Sequence, residues 1–167
     1  RLGMVDSSEM EALFPVFNRF PLKEITIHPR TAKQMYGGTV NLDAFGQCLD
    51  TLKAPVVYSG DIVDPESFDA VRSRFPRVSA WMVGRGVGRD PLLPARLTTG
   101  ETGTSPLEQL MRFHQLLLEG YQTRLSGAAH VLSRMGTVWE YLGTGLGVDD
   151  TLLRTVIRSK TYELYEA

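Results

Sequence analysis

Three short apolar runs, rich in β-branched residues and set at regular intervals, constrain this fold more than any other feature of the sequence. They are Glu24-Ile25-Thr26-Ile27-His28, Ala54-Pro55-Val56-Val57-Tyr58 and Ser79-Ala80-Trp81-Met82-Val83. Near-continuous apolar character over so short a length marks strands buried on both faces. The stretches between them read as helices. Asp6-x-x-Glu9 has the form of a capping box opening a helix over about 7–19, in which Pro15 shifts the start or introduces a kink. Leu42, Phe45, Leu49 and Leu52 recur at helical spacing, and Asp64-Pro65-Glu66 joins an N-cap aspartate to a first-turn proline. The interval between strands is that of one βαβ unit, so the pattern predicts a parallel sheet with right-handed crossovers.

The texture changes after Thr98-Thr99-Gly100-Glu101-Thr102-Gly103-Thr104, a polar stretch that reads as a linker. Beyond it only helices are expected. Ser105-Pro106-Leu107-Glu108 combines an N-cap, an N1 proline and a capping-box glutamate. Leu107, Leu110, Met111, His114, Leu117, Leu118 and Tyr121 form one helical stripe. A second runs from Leu125 through Ala128, Leu132, Met135, Val138 and Trp139 to Leu142, where the Gly143–Gly147 run is expected to end it. Asp149 or Asp150 caps a third helix carrying Leu152, Leu153, Val156, Ile157 and Leu164. The expected organisation is therefore an α/β part over 1–97, a linker over 98–104 and a small helical bundle over 105–167.

Composition removes several function classes. The chain is 43% hydrophobic and 22% charged, enough apolar side chain to bury a core, so disorder is excluded as its main state. No apolar run approaches the ~18–20 residues that a membrane span needs. The start lacks the basic-then-apolar layout of a secretion signal, and a cytoplasmic location is expected. The single Cys48 rules out a disulfide framework and a cysteine-based metal cluster, so no metal is expected. Eighteen Lys and Arg face nineteen Asp and Glu, which argues against a generic polyanion binder but leaves room for a local basic patch. The two halves differ little: +1 over 1–97 and −2 over 98–167.

In a parallel α/β array, ligands bind beyond the C-terminal ends of the strands. The residues there are His28-Pro29-Arg30-Thr31, Ser59-Gly60-Asp61 and Gly84-Arg85-Gly86. All three loops are polar. Glycine lets the backbone approach a ligand, and Arg85 adds a planar cation suited to phosphate. Each element also has a plain structural reading. Gly-x-Gly after a strand is a common tight turn, Asp61 a common turn cap, and His28 alone fits a satisfied buried histidine. Cys48, His114 and His130 lie on helices and read as structural, and Arg72, Arg74 and Arg77 as a solvated helix end. The coincidence of three such loops in order favours a binding face.

These residues carry a resemblance. His28-Pro29-Arg30-Thr31 followed by Gln34-Met35-Tyr36-Gly37-Gly38 resembles the His-Gly-Arg-Thr and Gln-x-Tyr-x-Gly loop of the tRNA-dihydrouridine synthases. Pro55-Val56-Val57-Tyr58-Ser59-Gly60-Asp61-Ile62 is similar to that family's Pro-Val-x-x-Asn-Gly-Asp-Ile, and Met82-Val83-Gly84-Arg85-Gly86 to its Met-Ile-Gly-Arg-Gly. Arg1-Leu2-Gly3 matches its Arg-Leu-Gly, and Met135–Leu142 resembles part of its C-terminal helical tRNA-binding domain. The motifs cover residues 1–91; the remainder matches by pattern.

The resemblance implies the last strands of a (β/α)8 TIM barrel followed by a helical bundle. It implies FMN as cofactor, NADPH as reductant, tRNA as partner, and reduction of uridine to 5,6-dihydrouridine. By it, His28, Ser59, Gly60, Asp61, Gly84 and Arg85 bind FMN, while Arg30, Thr31, Gln34 and Tyr36 form a rim facing RNA. Ser59 replaces the family's Asn and Pro29 its Gly. The proton-donating Cys and a flavin-contacting Lys of the family lie upstream of the matching region, and Cys48 stands in the wrong element to replace the former. The chain is thus expected to be a piece of a longer barrel, prone to self-association through an exposed barrel edge. Two other readings remain at this point: another FMN- or phosphate-binding barrel oxidoreductase acting on a small molecule, and a non-catalytic RNA-binding module. The 167 residues alone are expected to retain little FMN; stoichiometric flavin absorbance after gel filtration would overturn that.

Overall fold

The computed structural model describes residues 1–100 and 105–166. It divides into two compact units, one formed by Arg1–Ile62 and Glu66–Gly84, the other by Val63–Pro65 and the residues from Arg85 onward.

The first unit is a parallel three-stranded sheet with helices. The chain opens with a 3-10 helix, Ser7–Leu13, capped by Asp6 with Glu9 returning the bond, as the capping box predicts. The expected single helix over 7–19 does not form. Pro15 lacks the N–H that would continue the ladder, and α1 (Phe14–Phe17) restarts around it. Then come β1 (Ile25–Ile27), α2 (Leu42–Thr51), β2 (Val56–Ser59), α3 (Pro65–Arg74) and β3 (Trp81–Met82). The strands lie in the order β1-β2-β3, all parallel, as the spacing predicts. Ile27 is in register with Tyr58, and Tyr58 with Trp81.

That row faces the helices. Tyr58 is wholly buried, its ring 4.9 Å from Phe45 of α2 and 5.7 Å from Trp81. Phe75 meets Phe45, and Phe68 meets Trp81, both edge-on. Cys48 packs into the same layer of α2, fully buried. Arg74 and Arg77 are not simply solvated: they pair with Asp43 and Asp50, although exposed pairs of this kind contribute only about 0–1 kcal/mol.

The second unit holds α4 (Arg85–Arg89), α5 (Leu93–Thr99), α6 (Pro106–Arg124), α7 (Ala128–Leu146), α8 (Asp150–Arg158) and α9 (Tyr162–Glu166). The expected linker overlaps α5: Thr98 and Thr99 are helical and Gly100 closes the helix in the left-handed region, while 101–104 lie outside the described residues. Leu118, Val131 and Met135 form a core with Leu117, Tyr121, Leu125, Tyr162 and Tyr165 packed on it. The predicted stripes extend too far at their ends: Leu107, Met111, Leu152 and Leu164 are exposed. Ser105 stands at the N-cap of α6 but its side chain makes no cap bond, and the helix start rests on the N1 proline.

The glycine run does not stop α7 at Leu142. The helix continues to Leu146 and ends on Gly147, which takes the left-handed conformation. The run serves close packing instead. A side chain at Gly143 would collide with Leu153 of α8, and one at Gly145 with the backbone of Arg89 in α4.

The C-terminal helix docks through a polar knot. Trp139 Nε1 donates to the Tyr165 hydroxyl oxygen at 2.6 Å, and His114 Nε2 lies 2.6 Å from the same oxygen. The tyrosine has one proton, and giving it to His114 Nε2 satisfies all three groups when the imidazole is neutral. Burial lowers the His114 pKa below 6.5. His28 is lowered too, first by burial and then by Arg1 and Arg30. A folded pKa below the unfolded one means the unfolded chain binds more protons. This stabilisation is complete above pH 6.5 and is lost as pH falls through the folded values. Urea unfolding is therefore expected to show lower stability at about pH 5.5 than at about pH 7.5, with a smaller loss in His114→Gln. A stability that is flat or rises on acidification would contradict this.

Candidate functional site

The sheet register creates a second row beyond the buried one. Side chains alternate between faces along a strand, so the residues that follow Ile27, Tyr58 and Trp81 point away from the helices. They are His28, Ser59 and Met82, and Ser59 and Met82 are direct register partners. His28 and Ser59 are half-buried, and Met82 is 51% exposed. His28 Nδ1 is buried without a hydrogen-bond partner. Its lowered pKa, set mainly by burial, keeps the imidazole neutral near pH 7. The row therefore presents a neutral imidazole, a hydroxyl and a flexible apolar thioether at the strand ends.

The loops around this row are held by Arg30. Its guanidinium is 2% exposed. It donates to both oxygens of Asp61, NH1 to Oδ1 at 2.9 Å and NH2 to Oδ2 at 2.5 Å. NH2 also reaches the Gly38 carbonyl at 2.7 Å, and Nε the Gly37 carbonyl at 3.2 Å. The Asp61 bond raises the Arg30 pKa further above its ordinary value. The expectation that Arg30 lines an RNA-facing rim is corrected here: a guanidinium enclosed in this way has no face left for an outside phosphate. Thr31 is likewise buried, not on a rim. Its N–H donates to Gln34 Oε1 at 2.8 Å, and the Gln34 N–H lies 3.3 Å from its hydroxyl, the reciprocal exchange of a capping box at a turn. Gln34 and Tyr36 are exposed, with the Arg1 guanidinium carbon 5.4 Å from the Tyr36 ring centre.

Two glycines shape the face differently. Gly60 is buried, and a Cβ there would stand 3.0 Å from Val40 Cγ1 and 3.3 Å from the Tyr58 hydroxyl, so a side chain in the turn after β2 would require these neighbours to shift. Gly84, past the end of β3, has nothing within 4 Å of where its Cβ would be. Arg85 opens α4 and is half-buried. The structure thus gathers His28, Ser59, Gly60 and Asp61 with Arg30, Thr31 and Gln34 in the first unit, while Arg85 belongs to the second. Sequence reading passed over Tyr58, whose hydroxyl is buried without a partner and whose pKa burial pushes up to about 12. Its place inside an apolar strand gave no polar signal.

The chain matches the family described as dihydrouridine synthase (Dus) over residues 5–145. It belongs to the dihydrouridine synthase family. A probable tRNA-dihydrouridine synthase of Rickettsia bellii (strain RML369-C) is 27% identical over 133 residues, which is 72% of this chain and 40% of that protein. The chain therefore spans 40% of the length of the relative it matches. No described helix is long and apolar enough to cross a membrane, and among the described residues no group of three His, Cys, Asp or Glu side chains is placed to hold a metal ion.

Cys48 is 1% exposed, and burial pushes its thiol pKa up to about 11. Thiolate is the reactive form, so the residue is chemically quiet. Iodoacetamide at about pH 8 is expected to label Cys48 at least about a hundredfold more slowly in the folded chain than in urea. Comparable rates in the two states would show that the α2 layer opens freely.

Proposed function

We propose that this chain serves the reduction of uridine to 5,6-dihydrouridine in tRNA, with FMN as cofactor and NADPH as reductant. The family match over 5–145 carries the reading. The strand-end face supports it. Three parallel strands in consecutive order suit the last strands of a (β/α)8 barrel, and the helices from Pro106 onward suit the helical tRNA-binding domain.

The residues on the face fit an anionic cofactor with a flat ring. His28 offers an orphaned buried nitrogen, Met82 an apolar surface, and Gly84 a backbone with open space beside it. In this proposal His28, Ser59 and Gly60 border the flavin, and Gly84 with Arg85 holds its phosphate. Ser59, where the family usually has Asn, retains one hydroxyl for that contact. Bound FMN, once reduced by NADPH, would supply a hydride to one carbon of the uracil 5,6 double bond, and the other carbon would take its proton from the family's cysteine, which lies upstream of the matching region. Gln34 and Tyr36 face the RNA, where the exposed Tyr36 ring suits stacking on an unpaired base. The target base leaves the RNA stack to reach the face. Arg30, Thr31 and Asp61 shape the loops. The buried Cys48 does not serve as the proton donor.

Nucleoside mass spectrometry of tRNA from the source cell tests this. Replacing His28 with Ala in the chromosomal gene is expected to lower dihydrouridine at the affected position by about tenfold or more. Deletion of the gene with no change in tRNA dihydrouridine at any position would defeat the proposal.

A further inference from the structure

Among the described residues, the non-glycine positions with positive φ are Met35 at 49° and Asp61 at 45°. Both values lie in the left-handed region, which is disfavoured for residues with a Cβ. They sit in different loops, one after β1 and one after β2. Arg30 is bonded to both loops: to Asp61 itself, and to the carbonyls of Gly37 and Gly38 just past Met35. Strained backbone of this kind persists where the surroundings over-determine it, and it clusters at ligand sites. One buried guanidinium supplies that over-determination for both loops at once. Its planar fork is what allows this, because two nitrogens meet the carboxylate while Nε and NH2 reach the carbonyls.

We propose that Arg30 is the positioning residue of the strand-end face, locking the β1 and β2 exit loops into one strained conformation, and that Asp61 acts through Arg30 rather than on the ligand. This rests on the reading of that face as the flavin site. It moves Arg30 from an RNA contact, and Asp61 from a flavin contact, to a shared supporting role. It also accounts for Asp61 in a left-handed turn that Gly or Asn would adopt more readily: the carboxylate is needed as the partner of a buried cation.

Arg30→Lys and Asp61→Asn in the 167-residue chain test the proposal. Lysine keeps the charge but not the fork, and asparagine keeps the shape but not the charge. Amide hydrogen exchange over 34–39 and 60–62 is expected to speed up by about tenfold or more in Arg30→Lys, in both segments together, while β2 and α2 stay protected. The FMN dissociation constant, titrated by flavin fluorescence well below the unfolding temperature, is expected to rise by about tenfold in both variants. A residue that merely stabilised the fold would lower the unfolding temperature and leave flavin affinity of the folded chain unchanged, and that result overturns the proposal. So does exchange that is unaltered, or altered in one segment alone. If the unsubstituted chain shows no flavin binding, as expected of a piece of a longer barrel, exchange in the two segments alone decides the lock: a response in both sustains it and any other result overturns it.

Discussion

Tyr58 sits at the centre of the sheet with no exposed surface, and the pleat on either side of it organises the first unit. Its ring lies against Phe45 and Trp81, which fixes the helix-facing side of β2. Ile27 and Trp81 stand in register with it and share that side. A one-residue slip of β1 or β2 that brings the next residue toward its C-terminal end into register would exchange this row for the next and bury His28 or Ser59 in an aromatic layer. The polar row at the strand ends is thus a consequence of the apolar row beneath it. The Tyr58 hydroxyl is a buried side-chain group that this arrangement leaves without a hydrogen-bond partner.

Arg30 is the counterpart of Tyr58 on the polar side. A guanidinium taken out of water loses solvation that only good geometry restores. Here two carboxylate oxygens and two backbone carbonyls do so. Removing one partner of a fully buried pair costs about 3–5 kcal/mol; Asp61 keeps 36% of its side chain exposed, so the cost here is smaller. The pair is better understood as a device for shape than for stability. It joins two loops that have no sequence proximity and holds each in a backbone conformation it would otherwise leave.

The second unit depends on closeness rather than charge. α7 packs against α8 through Gly136 and Gly143 and against α4 through Gly145, where any side chain would meet Ile157, Leu153 or the Arg89 backbone. Helix interiors lose stability by carrying glycine, by roughly 0.5–1 kcal/mol each relative to alanine, so these positions are kept for contact. The Tyr165 hydroxyl then ties α6, α7 and α9 at one point through His114 and Trp139.

Local periodicity, cap chemistry and short motifs were enough to locate the strands, their parallel sense, the capping box at Asp6, the start of α3 at Pro65 and the family. They also placed the three polar loops at the strand ends. Tertiary structure alone decided which polar residues in those loops are available. Arg30 and Thr31 read as rim residues because the family resemblance implies it, but a carboxylate 31 residues away turns Arg30 inward. The glycine run read as a helix stop because glycine weakens an isolated helix, but a neighbouring helix at close range makes the missing side chain an asset. In each case the deciding partner is distant in the chain, and a distant partner leaves no mark on local pattern.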